Sequence, residues 1–214
     1  MKQIKFLMLA VLIFLVLLAN SSFSQTKNQA RQHEGFFMRF LLGVGQGKVV
    51  IEDVEGSDME FTGSPIGGRI QIGGSVSENL IVFGEVGGAN FSEPTITWKG
   101  DEGLLTGKDM SINDFGVGIS YYIMPTNFFL SGSITMSKDR IKTKNDNDQT
   151  ETEATTESGL GFYLSAGKEW WVSDKWALGC AVFAQISNAT DKSSTGEYSV
   201  KNSVFGIAFS ATFD

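Results

Sequence analysis

The sequence predicts an all-β fold, an eight-stranded antiparallel up-and-down transmembrane β-barrel, and three observations carry that expectation. The C-terminal stretch VFGIAFSATFD sets Phe205, Ile207, Phe209, Ala211 and Phe213 on one face and Val204, Gly206, Ala208, Ser210 and Thr212 on the other. This is the alternation of a strand with lipid on one side and a lumen on the other. Seven segments upstream repeat it, and the connections between them alternate between short turns and long polar loops. An export signal precedes them all.

At the N-terminus, Lys2 and Lys5 precede an apolar run from Phe6 to Ala19, and Ser22 and Ser24 stand at −3 and −1 of a cut before Gln25. A basic start, an apolar run too short to cross a bilayer and small residues at the cut predict a cleaved signal peptide over residues 1–24. A short segment, 25–34, would then lead into a barrel over 35–214. No Cys stands at the cut, so no lipid anchor is expected. Losing Lys2 and Lys5 takes the net charge from −7 to −9, which argues against nucleic acid as a partner. The single cysteine, Cys180, forms no internal disulfide, so the fold stands without covalent staples. With 25 Gly and 3 Pro, the composition suits long strands with close backbone approaches.

Period-2 alternation places the strands in order. The first, about Gly35 to Gly47, sets Phe36, Met38, Phe40, Leu42 and Val44 against Phe37, Arg39, Leu41 and Gly43. The second runs from about Ile66 to Val76, with Ile70 and Ile72 opposite Arg69 and Gln71. The third, about Leu80 to Phe91, is apolar on both faces; Glu85 marks the inward side, with Val82 and Val86 outward. The fourth, about Ser111 to Ile123, sets Phe115, Val117, Ile119, Tyr121 and Ile123 against Asp114, Gly116, Gly118, Ser120 and Tyr122. The fifth spans about Phe128 to Ser137, the sixth about Gly159 to Trp171, the seventh about Trp176 to Ile186, and the eighth is the C-terminal stretch. About ten residues tilted by about 40° cover roughly 25 Å, the height of a lipid-facing band.

Ser77–Asn79, Met124–Asn127 and Val172–Lys175 are short turns; Lys48–Pro65, Ser92–Met110, Lys138–Ser158 and Ser187–Ser199 are long and polar. The two kinds segregate to opposite rims, as periplasmic turns and extracellular loops do in bacterial barrels. Tyr121, Phe128, Trp170, Trp171, Trp176 and Phe213 crowd the short-turn rim and predict an interfacial aromatic belt. Lys168, the one charge on the apolar face, is near enough to that rim to reach the headgroups.

A soluble barrel alternates too, with its apolar face inside. Here the polar face is mainly Gly, Ser, Thr and Tyr, the charges gather in the loops, and an eight-stranded lumen is too narrow for so many Phe, Ile, Leu and Trp side chains. The apolar face therefore points outward. With its signal, eight strands, alternating connections and Phe213 near the end, the chain resembles the small outer membrane β-barrel proteins of OmpX and OmpA-transmembrane type. The strand-turn-strand GFYLSAGKEWWVSDKWALG (Gly161–Gly179) is its most family-like stretch. The resemblance implies an integral outer membrane barrel of a Gram-negative-type bacterium, contact with membrane lipids and lipopolysaccharide, and insertion by the outer membrane assembly machinery. Asp214 departs from the class, where an aromatic commonly comes last.

Enzymes of that class employ a catalytic His. Here the only histidine is His33, placed just before the first strand and expected to be mobile at the periplasmic rim. Without a second histidine no catalytic pair forms there, so no catalytic residue, cofactor or metal is expected. The inward polar set is Arg39, Arg69, Gln71, Glu85, Asp114, Tyr122, Tyr163, Glu169 and Gln185. Buried charges of mixed sign must pair, which predicts a lumen network that closes the interior.

The loops are acidic, with Glu52, Asp53, Glu55, Asp58 and Glu60 in the first and Asp146, Asp148, Glu151, Glu153 and Glu157 in the third. The latter spacing lacks the Gly of a calcium loop; a solvated acidic surface is the expectation, with weak divalent bridging to lipopolysaccharide as the alternative. In the second loop Trp98, Leu104 and Leu105 are candidates for packing or for a surface ligand. The expected function is structural or surface-interacting, in adhesion or integrity. The alternatives are a narrow channel or conduit of OmpW type and a soluble exported barrel binding an apolar ligand.

Overall fold

The computed structural model describes residues 32–144, 150–193 and 196–214. The expected signal segment lies outside them, as do Asp146, Asp148 and the side chains of Glu151 and Glu153.

Twelve strands make one sheet: β1 (Phe36–Val54), β2 (Ser57–Gly63), β3 (Ile66–Ser77), β4 (Leu80–Ser92), β5 (Thr95–Trp98), β6 (Asp101–Leu104), β7 (Lys108–Ile123), β8 (Phe128–Lys144), β9 (Thr150–Thr155), β10 (Gly159–Trp171), β11 (Trp176–Ser193) and β12 (Gly196–Phe213). Eight of them, β1, β3, β4, β7, β8, β10, β11 and β12, pair in that order and close through β12 against β1, from Met38↔Phe213 to Ile51↔Val200. All pairings are antiparallel. The eight-stranded barrel that the sequence resemblance implied is therefore the fold of this chain.

The three expected turns join β3 to β4, β7 to β8 and β10 to β11. Asn79 and Asn127 in the first two adopt positive φ (61° and 56°), which Asn tolerates better than other non-glycine residues. At the opposite rim the strands run on. β1 has 19 residues, β8 17, and β11 and β12 18 each, well beyond the roughly ten that span a lipid band. The expected long loops are thus largely strand: β2, the β5–β6 hairpin and β9 extend the sheet above the barrel.

The outer surface carries a continuous apolar band. Leu42, Ile66, Val86, Phe115, Met136, Leu160, Ile186 and Phe205 are exposed at its upper edge. Beyond this edge polar residues take over the outward face: Gln46, Asn90, Asn113, Lys138, Asn188 and Ser203. At this level the interior changes the other way. Above the edge Val49, Phe61, Phe91, Met110, Ile112, Val200 and Val204 form a buried apolar cluster inside the sheet. The strands keep one parity throughout while the two faces exchange character. Such an exchange fits a change of surrounding medium, hydrocarbon around the band and water around the extension.

Candidate functional site

All nine residues expected in the lumen lie inside the barrel and are buried. They gather in two linked groups. In the lower one, toward the short turns, Arg39 donates through Nη1 to Gln71 Oε1 (3.2 Å), through Nε to Thr212 Oγ1 (3.3 Å) and through Nη2 to Ser120 Oγ (3.3 Å) and the Tyr122 hydroxyl. Its Nε lies 3.5 Å from Glu169 Oε1. Glu169 also accepts from Tyr122 OH (2.9 Å) and Thr212 Oγ1 (2.8 Å). The Arg39 guanidinium stands 4.0 Å from the centre of the Phe129 ring, 5.1 Å from Phe37 and 5.3 Å from Tyr122. A weakly hydrated planar cation between aromatic faces, with a carboxylate in the same network, is the form of buried charge a lumen tolerates.

In the upper group Arg69 makes a two-pronged bond to Asp114 (2.6 and 3.0 Å) and a third to Glu85 Oε1 (2.7 Å). Gln185 Nε2 donates to Asp114 Oδ2 (2.9 Å), Ser133 Oγ donates to Glu85, and Arg69 lies 3.8 Å from the centre of the Tyr163 ring. Gln71 joins the groups: its oxygen accepts from Arg39 and its nitrogen donates to Glu85 Oε2 (2.9 Å). One polar chain therefore crosses the lumen from Glu169 to Asp114. Ser120, Ser133 and Thr212 share the inward parity of the expected residues and belong to it; strand parity was the signal that could have found them.

Tyr121, Phe128, Trp170 and Trp176 are exposed on the outer surface near the short turns, and the Phe213 ring packs edge-on to Trp176 (5.3 Å). Lys168 lies among these rings, 4.9 Å from Phe128 and 5.5 Å from Trp170. Trp171 departs from the expected belt. It follows the inward parity of β10, and its ring stacks on His33 at 5.0 Å.

His33 also departs from expectation. It is fully buried rather than mobile at the rim. Its Nε2 lies 2.8 Å from Asn127 Oδ1, its backbone N–H donates to Asn79 Oδ1 (3.3 Å), its Nδ1 lies 2.7 Å from Asp214 Oδ2, and its ring stacks on Tyr122 at 3.4 Å. Through its backbone and its ring, His33 ties the first two short turns to the C-terminal residue, and Asp214 N–H in turn donates to the Lys175 carbonyl of the third turn (3.0 Å). No local pattern announces this arrangement, because each partner is distant in the chain.

Above the band, Asp139 on β8 is buried, and both its carboxylate oxygens accept from Asn202 Nδ2 at 3.2 Å. Burial pushes its carboxyl up from 3.8 to about 6, against the opposing bond from Asn202. In the first loop region Lys48 pairs with Glu60 (2.6 Å) and Lys99 with Glu55 (3.0 Å), both in solvent. Leu104 is exposed, whereas Leu105 packs on the apolar cluster. Among the described residues no three His, Cys, Asp or Glu side chains gather to hold a metal ion.

No protein-family model matches the chain, and no curated protein matches it. Among solved structures it is similar to Neisserial surface protein A, at 10% identity over 86% of this chain and 99% of that one, with a TM-score of 0.49. It is similar to outer membrane protein OprG from Pseudomonas aeruginosa at 15% identity, covering 87% and 99%, with a TM-score of 0.46. For outer membrane protein AlkL, determined in lipid bilayers, the identity is 11%, the coverage 89% and 96%, and the TM-score 0.47. The fold assignment rests on the strand register of this chain.

Proposed function

We propose that this chain is an integral outer membrane protein with a closed lumen, acting in envelope integrity or in contact between its strand extensions and the surroundings. The observation that carries the reading is the polar chain from Glu169 through Arg39 and Gln71 to Glu85, Arg69 and Asp114. Arg39 and Gln71 have no exposed surface, so solute passing at this level must displace a hydrogen-bonded charge network, at a cost of several kcal/mol per ion. Membrane lipids meet the apolar band, lipopolysaccharide headgroups meet its polar upper edge, and the assembly machinery inserts the chain. The projecting hairpins, with Leu104 exposed at the β6 edge, offer the surface for a ligand. A non-enzymatic role is supported by the placement of His33, which is buried against Asn127, Asp214 and Tyr122.

Planar-bilayer recording tests the closed lumen. The expected result is no steady conductance from the reconstituted protein; a steady conductance that Arg69→Ala alters overturns the reading. Location and orientation are tested by fractionation with proteolysis of intact cells. Cleavage is expected within Lys138–Ser158, with Ser77–Asn79 protected. Recovery in the soluble fraction without detergent overturns the membrane assignment.

A further inference from the structure

The upper lumen holds more negative charge than positive. Above Gln71 the buried guanidinium and carboxyl side chains among the described residues are Arg69, Glu85, Asp114 and Asp139, one guanidinium against three carboxyl groups. Arg69 bonds to Glu85 and Asp114, and Gln71, Ser133 and Gln185 donate to the same pair. Among the described residues, Asp139 has only the amide of Asn202. A buried carboxylate without a cation is an expensive arrangement, and one found in a cleft is a candidate binding group.

The surroundings of Asp139 specify the missing partner. It forms the polar part of a cleft of about 30 Å³ whose other walls include Val49, Ile51, Met110, Ile141 and Val200; space of that size takes a small headgroup. Groups facing it from β1, β7, β9 and β12 are apolar or neutral: Val49 and Ile51, Met110 and Ile112, Thr155, and Val200 with Asn202. Because Asn202 Nδ2 faces the carboxylate, its Oδ1 points elsewhere, and that atom is buried with no hydrogen-bond partner. Deeper on the same wall, Thr135 Oγ1, Ser137 Oγ and Ser187 Oγ are likewise buried without partners and converge on Gly161. A carboxylate beside apolar walls matches a cation that carries N–H donors on an alkyl body.

We propose that Asp139, held in place by Asn202, forms a binding site for a primary alkylammonium at the mouth of the long-strand end, its ammonium on the Asp139 carboxylate and its alkyl chain along Val49, Ile51 and Ile141. This goes beyond the structural role proposed above and stands whether or not the lumen conducts.

The test uses the full barrel in uncharged maltoside micelles at about pH 8, following the side-chain amide resonance of Asn202 by NMR during titration. Three probes are compared: n-butylammonium, its neutral isostere n-butanol, and tetramethylammonium, a cation without N–H donors. The expected result is a saturable shift with n-butylammonium, about tenfold weaker binding of each of the other two, and about tenfold weaker butylammonium binding to Asp139→Asn, each tenfold being about 1.4 kcal/mol. Equal binding of n-butanol overturns the charge, and equal binding of tetramethylammonium overturns the donor requirement. Unchanged affinity in Asp139→Asn overturns the site. The probe comparison on the unmodified protein keeps the test valid if the variant does not fold.

Discussion

Asp139 and Arg39 are both buried charges, and they stand in opposite situations. Asp139 has no counter-ion among the described residues and is buried, so its protonated form is the one the fold favours. With the carboxyl raised to about 6, the folded chain binds its proton more tightly than the unfolded chain does. Stability therefore falls as pH rises from about 4 to about 6, and the loss is complete above that window, amounting to about 3 kcal/mol. Urea midpoints measured across pH are expected to show this decline in the parent protein and its absence in Asp139→Asn, with the difference between the two read out so that other carboxylates cancel. Arg39 is fully paired and its removal leaves Glu169 buried without a cation. Arg39→Ala is expected to cost about 3–5 kcal/mol, seen as a lower urea midpoint in lipid. Removing Arg39 and Glu169 together is expected to cost less than Arg39→Ala alone.

Within the strands, one parity serves two media. On β12, Phe205, Ile207 and Phe209 face outward within the band, while Val200 and Val204 face inward above it or at its edge. A lysine at Ile207 would place an ammonium in mid-band, and Ile207→Lys is expected to destabilise the barrel by about 2–4 kcal/mol in lipid vesicles. Lys201→Ala, outward but above the band, is expected to change the same midpoint by less than about 1 kcal/mol. This exchange of faces also explains which parts of the fold were legible in the sequence. In the band, Phe, Ile, Leu and Val alternate with Gly, Ser and Thr, a strong contrast that placed all eight barrel strands and the three turns. Above it, stretches such as Lys48–Val54 and Lys138–Ile141 place Lys, Arg and Glu outward and a few Val, Ile or Asp inward, which reads as polar loop although it is strand. Asp139 was missed for that reason, one residue into an expected loop. The lumen set was legible because a charge on the Gly/Ser face has nowhere to go but inward. Its pairing was not, since Arg69 meets Asp114 and Gln185 only once the sheet is registered and curved shut.

The barrel as a whole has two differently built ends. The long-strand end is closed by an apolar cluster and its outward surface is polar. At the short-turn end His33 sits stacked between Tyr122 and Trp171, beside a buried cluster that includes Phe37, Phe83 and Phe129. His33 reaches Asn79, Asn127, Trp171 and Asp214, and Asp214 N–H donates to Lys175 O, so the segment before β1, the first two turns and the last residue meet at His33 and the third turn is joined through Asp214. Contacts of this kind hold a barrel mouth against the loosening that its short turns alone would allow, because each turn is fixed to a common centre rather than only to its neighbours. Replacing His33 by Ala leaves Asn127 and Asp214 facing a void and removes the stack on Tyr122. The expected cost is about 1–3 kcal/mol, for buried polar groups left without partners. A local effect should accompany it. Comparing quenching of tryptophan fluorescence in His33→Ala with that in the same variant carrying Trp171→Phe isolates Trp171, which is expected to become accessible to a soluble quencher while the outer belt tryptophans do not change. An equal rise in accessibility at Trp170 and Trp176 would mean that the whole barrel had loosened, and His33 would then be a general packing residue rather than the centre of this end.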